Sequence, residues 1–122
     1  DLACAVNPMG DLYKTQVREL ARHLRVPAAI RRKAPTAGLW PGQTDEGEIG
    51  LSYEELDAIL CELVEGRKGR AAIVAAGHDA AAVDRVLGLV KGSEFKRRMP
   101  PIAKLASRSV GHDFLYPYDW GK

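Results

Sequence analysis

Pro-Thr-Ala-Gly-Leu-Trp-Pro-Gly-Gln-Thr-Asp-Glu-Gly-Glu-Ile-Gly-Leu-Ser-Tyr-Glu-Glu-Leu-Asp, residues 35–57, is the stretch on which the reading of this chain turns. Pro35, Gly38, Pro41, Gly42, Gly47 and Gly50 break every helical or strand periodicity across its first two thirds, which predicts a long loop over 35–50. Loops of that length in compact domains are either functional or disordered. Leu39, Trp40 and Ile49 argue against disorder, because apolar groups have little reason to sit in a solvated linker. The far end is anchored. Ser52 and Glu55 have the spacing of a capping box, and Leu51 and Leu56 sit where a hydrophobic staple closes. The stretch reads as a lid or substrate loop, or as a structural loop pinned by Trp40.

Working outward, 122 residues make one domain or a piece of a larger one. The net charge of +2 implies no strong electrostatic partner for the chain as a whole. The charges are clumped all the same: Arg31-Arg32-Lys33 and Lys96-Arg97-Arg98 are basic, and Asp45, Glu46 and Glu48 are acidic. Cys4 and Cys61 make neither a disulfide framework nor a metal-ligand spacing; they suggest a reducing, cytoplasmic compartment, with Cys61 as a small core residue. No apolar run is long enough to span a bilayer. The opening Asp1-Leu-Ala-Cys-Ala-Val lies inside an apolar segment, so the chain is expected to be a fragment whose first element begins upstream.

Asn7-Pro8-Met9-Gly10 marks a turn, and Asp11 is placed to cap a helix running to His23 or Leu24. Val17, Leu20, Ala21 and Leu24 share one face of it; Arg18, Glu19 and Arg22 share the other. Lys14 falls in the first turn, where a cation opposes the helix dipole unless something negative is near. A phosphate would suit, since helix N-termini bind anions; a solvated lysine is the plainer reading. Residues 27–33 form a short helical turn or loop with a basic end. Ser52 opens a helix to Val64, with Leu56, Ile59, Leu60 and Leu63 as its apolar stripe and Gly66 as its stop. Residues 70–76 are small, apolar and helical, and Gly77 stops them. Asp79 caps the next helix, where Val83, Val86, Leu87 and Val90 recur at helical spacing. Pro100-Pro101 stop any helix near Arg98.

The helix–Gly77–helix pattern is that of a helix-turn-helix, yet Ala80, Ala81, Ala82, Val83, Asp84 and Val86 offer few base-reading groups, so nucleic acid is not the predicted partner. His23, His78 and His112 are isolated and form no metal cluster; no nucleophile elbow, Walker loop or dinucleotide fingerprint occurs. Residues 105–122, with Phe114, Tyr116, Tyr118 and Trp120, are too aromatic for a free tail and should pack on the domain or on a second subunit.

Three stretches together resemble one family. They are Asp-Leu-Tyr-Lys-Thr-Gln-Val-Arg-Glu-Leu-Ala at 11–21, the segment 35–53, and Phe-Lys-Arg-Arg-Met-Pro-Pro at 95–101. Their order and spacing resemble the C-terminal part of an NAD+ synthetase, and the resemblance covers nearly the whole chain. The ending Gly-His-Asp-Phe-Leu-Tyr-Pro-Tyr-Asp-Trp is similar to the tail of one branch of that family. The resemblance implies an α/β parent of the adenine nucleotide alpha-hydrolase type, with a Rossmann-type, mainly parallel sheet and flanking helices. It implies a homodimer that adenylates deamido-NAD+ with ATP and Mg2+, after which ammonia, free or drawn from glutamine, displaces AMP. This chain would be a mainly helical portion, with at most one short strand near residues 2–6.

Residue by residue, the resemblance implies that Lys14 and Thr36 contact ATP and that Lys96, with Phe95 beside it, meets deamido-NAD+. It makes Asp45 and Glu46 the acidic pair of the substrate loop, or the residues that cap and order that loop. Asp1 would be the aspartate of a Gly-Asp pair near the metal. Two positions depart from the family pattern. Phe95 stands where many members have His, and Ala5 stands where many ammonia-dependent members carry an aspartate. The family's phosphate loop, Ser-Gly-Gly-x-Asp-Ser, is not among these residues, so this chain by itself is expected to be inactive. The alternative is a non-catalytic helical module that binds anions or a partner through 31–33 and 96–98.

Overall fold

Apolar side chains at helical spacing need a common surface to bury, and three of the predicted helices supply one. The computed structural model describes residues 6–98 with 103, 105 and 107, and among these all regular structure is helical. In chain order the α-helices are α1 (Lys14–His23), α2 (Ala28–Arg31), α3 (Asp45–Ile49), α4 (Tyr53–Val64), α5 (Arg70–Ala75) and α6 (Ala80–Gly92). A 3₁₀ turn, Glu94–Arg97, follows. The chain divides into a first unit, Asp1–Val90, and a second, Lys91–Lys122. The strand expected near 2–6 and the aromatic tail fall almost wholly outside the described residues; Val6 is described and is not in a strand.

The core of the first unit is Ile59 of α4, Ile73 of α5, and Ala82, Val83 and Val86 of α6. Leu51, Leu56, Leu60, Leu63, Val74, Leu87 and Val90 pack around it. The apolar stripes expected for α4 and α6 are therefore its walls, and of the α6 residues considered for base reading Ala82, Val83 and Val86 are buried while Ala81 and Asp84 are exposed. Two starts follow the predicted chemistry. Ser52 Oγ accepts from Glu55 N at 3.2 Å, and an Asp79 carboxylate oxygen accepts from Ala82 N at 2.9 Å. Gly77 ends α5 at φ 106°, where a Cβ would be strained.

Several expectations are corrected. Asp11 does not cap α1; the helix begins three residues later, behind Tyr13, whose N–H is held by Gln16 Oε1 at 2.9 Å. Residues 35–50 are not one open loop, because the acidic run Asp45–Ile49 winds into α3. Thr44 Oγ1 accepts from Gly47 N, and acids in a first turn complement the helix dipole, which is why this glycine-interrupted run still coils. α4 does end at Val64 ahead of Gly66, although Gly66 is not its left-handed residue. Arg67 is, at φ 48°; at Gly66 the chain passes so close that a Cβ would lie 2.7 Å from the Glu62 carbonyl oxygen. Cys61 is exposed, and desolvation, then the Glu65 carboxylate beside it, hold its thiol above the usual range.

The apolar face of α1 is the largest departure from the periodicity reading. No residue of α1 is buried, Leu20 is 37% exposed and Leu24, just beyond its end, is 64% exposed. What ties α1 to the core is polar. Asp57 of α4, only 7% exposed, accepts from Thr15 N at 2.7 Å in the first turn of α1. A carboxylate there satisfies an otherwise free N–H and opposes the dipole in the favourable sense. The negative group that Lys14 requires at its helix end is thus built into the protein.

Asp57→Ala removes that cap and leaves the Thr15 N–H without its partner. We expect a loss of roughly 1.5–3 kcal/mol of stability by denaturant unfolding. Asp57→Asn, which still accepts, should lose less. Equal stability of Asp57→Ala and the parent would show that α1 docks without this bond.

Candidate functional site

The segment between α2 and α4 is closed by its own backbone. Asp45 N donates to the Pro35 carbonyl at 2.9 Å, so residues 35–45 form a ring of chain with a single neck. Inside it, Thr36 Oγ1 accepts from Gly38 N at 3.0 Å, and Gln43, 7% exposed, accepts from Leu39 N through Oε1 at 2.7 Å. Gly38 and Gly42 take φ values of 66° and 79°, which only glycine adopts without strain. The tip carries Leu39 and Trp40 outward, 73% and 53% exposed. Trp40 therefore does not pin the loop; Gln43 does. Behind the ring, α3 is clamped at its C-terminal end. Arg85 of α6 donates from Nε to the Ile49 carbonyl at 3.0 Å and from a terminal nitrogen to the Glu48 carbonyl at 3.1 Å. These are carbonyls a helix end leaves unpaired.

A cleft of about 350 Å³ opens between α1, α2 and the start of this loop. One wall is apolar: Val17 and Ala21 from α1, Val26, and Ile30 from α2. Around it stand four cations, Lys14, Arg18, Arg31 and Lys33, with Pro35 and Thr36 completing the lining. Lys14 and Thr36, separated in sequence by α1 and α2, thus line one cleft. Arg31 is held by its own fold, Nε donating to the Val26 carbonyl at 2.8 Å. The excess of positive charge, with a hydroxyl and an apolar wall, is chemistry suited to a phosphorylated aromatic ligand.

Tyr53, the first residue of α4, adjoins this cleft through two of its cations. Lys14 Nζ lies 5.6 Å and the Arg18 guanidinium carbon 5.5 Å from the Tyr53 ring centroid, within cation–π range. The Tyr53 hydroxyl donates to an Asp45 carboxylate oxygen at 3.1 Å, and Tyr53 N donates to Glu46 Oε1 at 3.0 Å. Arg18 bridges Glu46, at 3.6 Å, and Glu54. Burial, then the bond to Asp45 and the charges of Asp45, Glu46 and Asp57, push the Tyr53 phenol up to about 12. It stays a proton donor throughout the neutral range.

The structure therefore brings Lys14, Thr36, Asp45 and Glu46 into one unit, with Asp45 and Glu46 engaged by Tyr53 and Arg18. Phe95 and Lys96 lie on the 3₁₀ turn of the second unit, both exposed; Lys96 N donates to the Ser93 carbonyl at 3.0 Å. Asp1 lies outside the described residues. Among the described residues no group of three or more His, Cys, Asp or Glu converges. Among them, too, no helix is long and apolar enough to cross a membrane. The sequence places Arg18 on the face of α1 opposite its apolar one and offers Tyr53 only as the end of the segment 35–53. The available signal was spacing: Arg18 is four residues after Lys14, on the same side of α1.

Residues 1–100 match the NAD synthase family. The NH(3)-dependent NAD(+) synthetase of Chlorobaculum tepidum is 53% identical over 120 residues, which is 98% of this chain and 43% of the relative. The enzyme of the same name from Trichlorobacter lovleyi is 48% identical over all of this chain and 45% of its own length. The chain thus spans less than half the length of the curated relatives it matches. The solved structure of NMN synthetase from Francisella tularensis superposes with a TM-score of 0.55 at 36% identity, covering 76% of this chain and 34% of that one. The motifs quoted at the outset, the helical cleft that unites two of them, and a match over residues 1–100 lead to one conclusion: the chain belongs to the NAD synthase family.

Proposed function

We propose that this chain is the C-terminal portion of an NAD+ synthetase that uses ATP to adenylate the carboxylate of deamido-NAD+ and ammonia to displace AMP. The observation that carries the reading is the cleft that gathers Lys14 and Thr36 with Arg31 and Lys33. ATP and a dinucleotide bring several phosphates together, and cations hold them without reacting. In the first step a carboxylate oxygen bonds to the α-phosphorus and pyrophosphate leaves. In the second, ammonia bonds to the carboxyl carbon, AMP leaves, and the nitrogen loses a proton. This chain's residues bind and orient rather than transfer atoms.

Lys14 places its ammonium at the phosphates. The Thr36 hydroxyl, whose oxygen already accepts from Gly38 N, keeps its proton to donate to a phosphate oxygen. Lys96 and Phe95 form part of the deamido-NAD+ site, and Asp45 and Glu46 order the substrate loop from within. The parent carries the parallel α/β sheet, works as a homodimer, and takes its nitrogen as ammonia, in keeping with the names of the relatives. Magnesium would accompany ATP and offset the charge of its phosphates. The loop acts as a lid, since an acyl adenylate hydrolyses unless water is shut out.

A second reading is favoured by Phe95 and Ala5, two apolar residues at positions the family uses for the dinucleotide. It makes the substrate the mononucleotide, matching the name of the Francisella protein. Competition between the deamidated mono- and dinucleotides in the complete enzyme separates the two.

In the complete enzyme, Lys14→Ala should raise the KM for ATP by about ten- to a hundredfold, the loss of one charged hydrogen bond, with little change in melting. An unaltered ATP dependence would remove Lys14 from the site. Lys96→Ala should raise the KM for deamido-NAD+ about tenfold and move that for ATP by less than about twofold; an equal effect on both would make Lys96 structural. Limited proteolysis should cut within residues 36–42 of the free enzyme, spare α3, and stop when ATP and deamido-NAD+ are added. Cleavage that ignores the ligands would mean a fixed loop.

A further inference from the structure

We infer that Tyr53 is a positioning residue that holds the Lys14 ammonium with its ring and the substrate loop with its hydroxyl and N–H. The inference rests on the assignment of Lys14 to the ATP phosphates and adds a residue to that site. Its basis is a convergence on one side chain. Lys14 Nζ stands 5.6 Å from the ring centroid, the hydroxyl donates to Asp45 at 3.1 Å, and the backbone N–H donates to Glu46 at 3.0 Å. Asp45 is also the residue whose own N–H closes the loop on Pro35.

The physical case begins with the lysine. Its four-carbon stem has large rotamer freedom, and freezing it on binding weakens the contact it makes. A carboxylate partner would hold the ammonium but would also compete with phosphate for it. An aromatic face attracts the cation and leaves its hydrogen-bond donors free for a ligand. Arg18, over the same ring at 5.5 Å, is meanwhile drawn off by Glu46 and Glu54. Of the two cations above Tyr53, Lys14 is the one with no carboxylate bridge among the described residues. The hydroxyl works on the other half of the site. By gripping Asp45 it fixes the neck of the loop on which Thr36 rides, so the lysine and the threonine are set by one residue.

Three variants in the complete enzyme separate the two functions. Tyr53→Leu removes ring and hydroxyl, Tyr53→Phe removes the hydroxyl alone, and Tyr53→Trp restores a cation-binding face without the Asp45 bond. Tyr53→Leu should raise the KM for ATP by about three- to tenfold. Tyr53→Phe and Tyr53→Trp should hold that KM within about twofold while lowering kcat and quickening cleavage within 36–42. A merely structural Tyr53 would give no such split: the three variants would lose melting temperature with ATP dependence untouched, or would raise the KM together. Either result overturns the inference. Lys14→Ala runs alongside. If it raises the KM for ATP and Tyr53→Leu does not, the Tyr53 inference alone fails; if Lys14→Ala has no effect, the assignment of Lys14 fails and takes the inference with it.

Discussion

The contact from Asp57 to Thr15 N is the constraint on which the arrangement of this chain depends. α1 carries Lys14 and Arg18 yet buries no side chain of its own, so hydrophobic packing within the described residues does not place it. A short charge-assisted bond at its first turn does, supported on the outside by Arg18 with Glu46 and Glu54. The bond is largely shielded from water, where electrostatic attraction is stronger than at an open surface. It also cancels the penalty of a lysine in a helical first turn, because the carboxylate supplies the negative charge that the dipole favours. Lys14 is left free for a second negative partner.

The loop follows from a similar economy of fixed points. Ordering a glycine-rich segment costs roughly 1–2 kcal/mol per residue in backbone entropy. The chain limits that cost by closing a ring at Pro35 and Asp45, turning it with Gly38 and Gly42, and holding it inside with Gln43. α3 then converts the far side of the ring into a helix short enough to need outside help. That help comes from Arg85 at one end and Tyr53 at the other. The side chains of Leu39 and Trp40 stay exposed at the tip, where only their backbone groups are bonded to Gln43. A segment stiff at its base and open at its tip suits a cover that closes on a ligand.

Charge in the first unit is distributed by purpose. Arg70 and Asp84 make an exposed, two-pronged pair that raises the guanidinium and lowers the carboxyl. Asp84 therefore favours the folded state above its ordinary range and loses that effect as pH falls; at the surface such pairs contribute little and are screened by salt. Around the cleft the balance is different. Lys14, Arg31 and Lys33 line it with no acidic residue among the lining, so its field is one of attraction for anions.

Local rules, legible residue by residue, determined most of the helices. Ser52 and Asp79 cap because their oxygens reach N–H groups three residues on, and Gly77 stops a helix because only glycine takes its φ without strain. The three-helix core of Ile59, Ile73, Val83 and Val86 was likewise written in 3.6-residue spacing. Family motifs in the sequence also named Lys14, Thr36, Asp45 and Glu46. Tertiary structure alone decided what those residues touch. Whether an apolar stripe such as that of α1 is covered depends on what lies opposite, and periodicity carries no information about the opposite side. The same holds for Cys61, expected as a small core residue and found exposed. Asp57, Arg85 and Tyr53 act on partners tens of residues away or across a turn, through geometry that exists only once the helices have packed. A sequence states which groups can donate, accept or pair; the folded chain decides which of them meet.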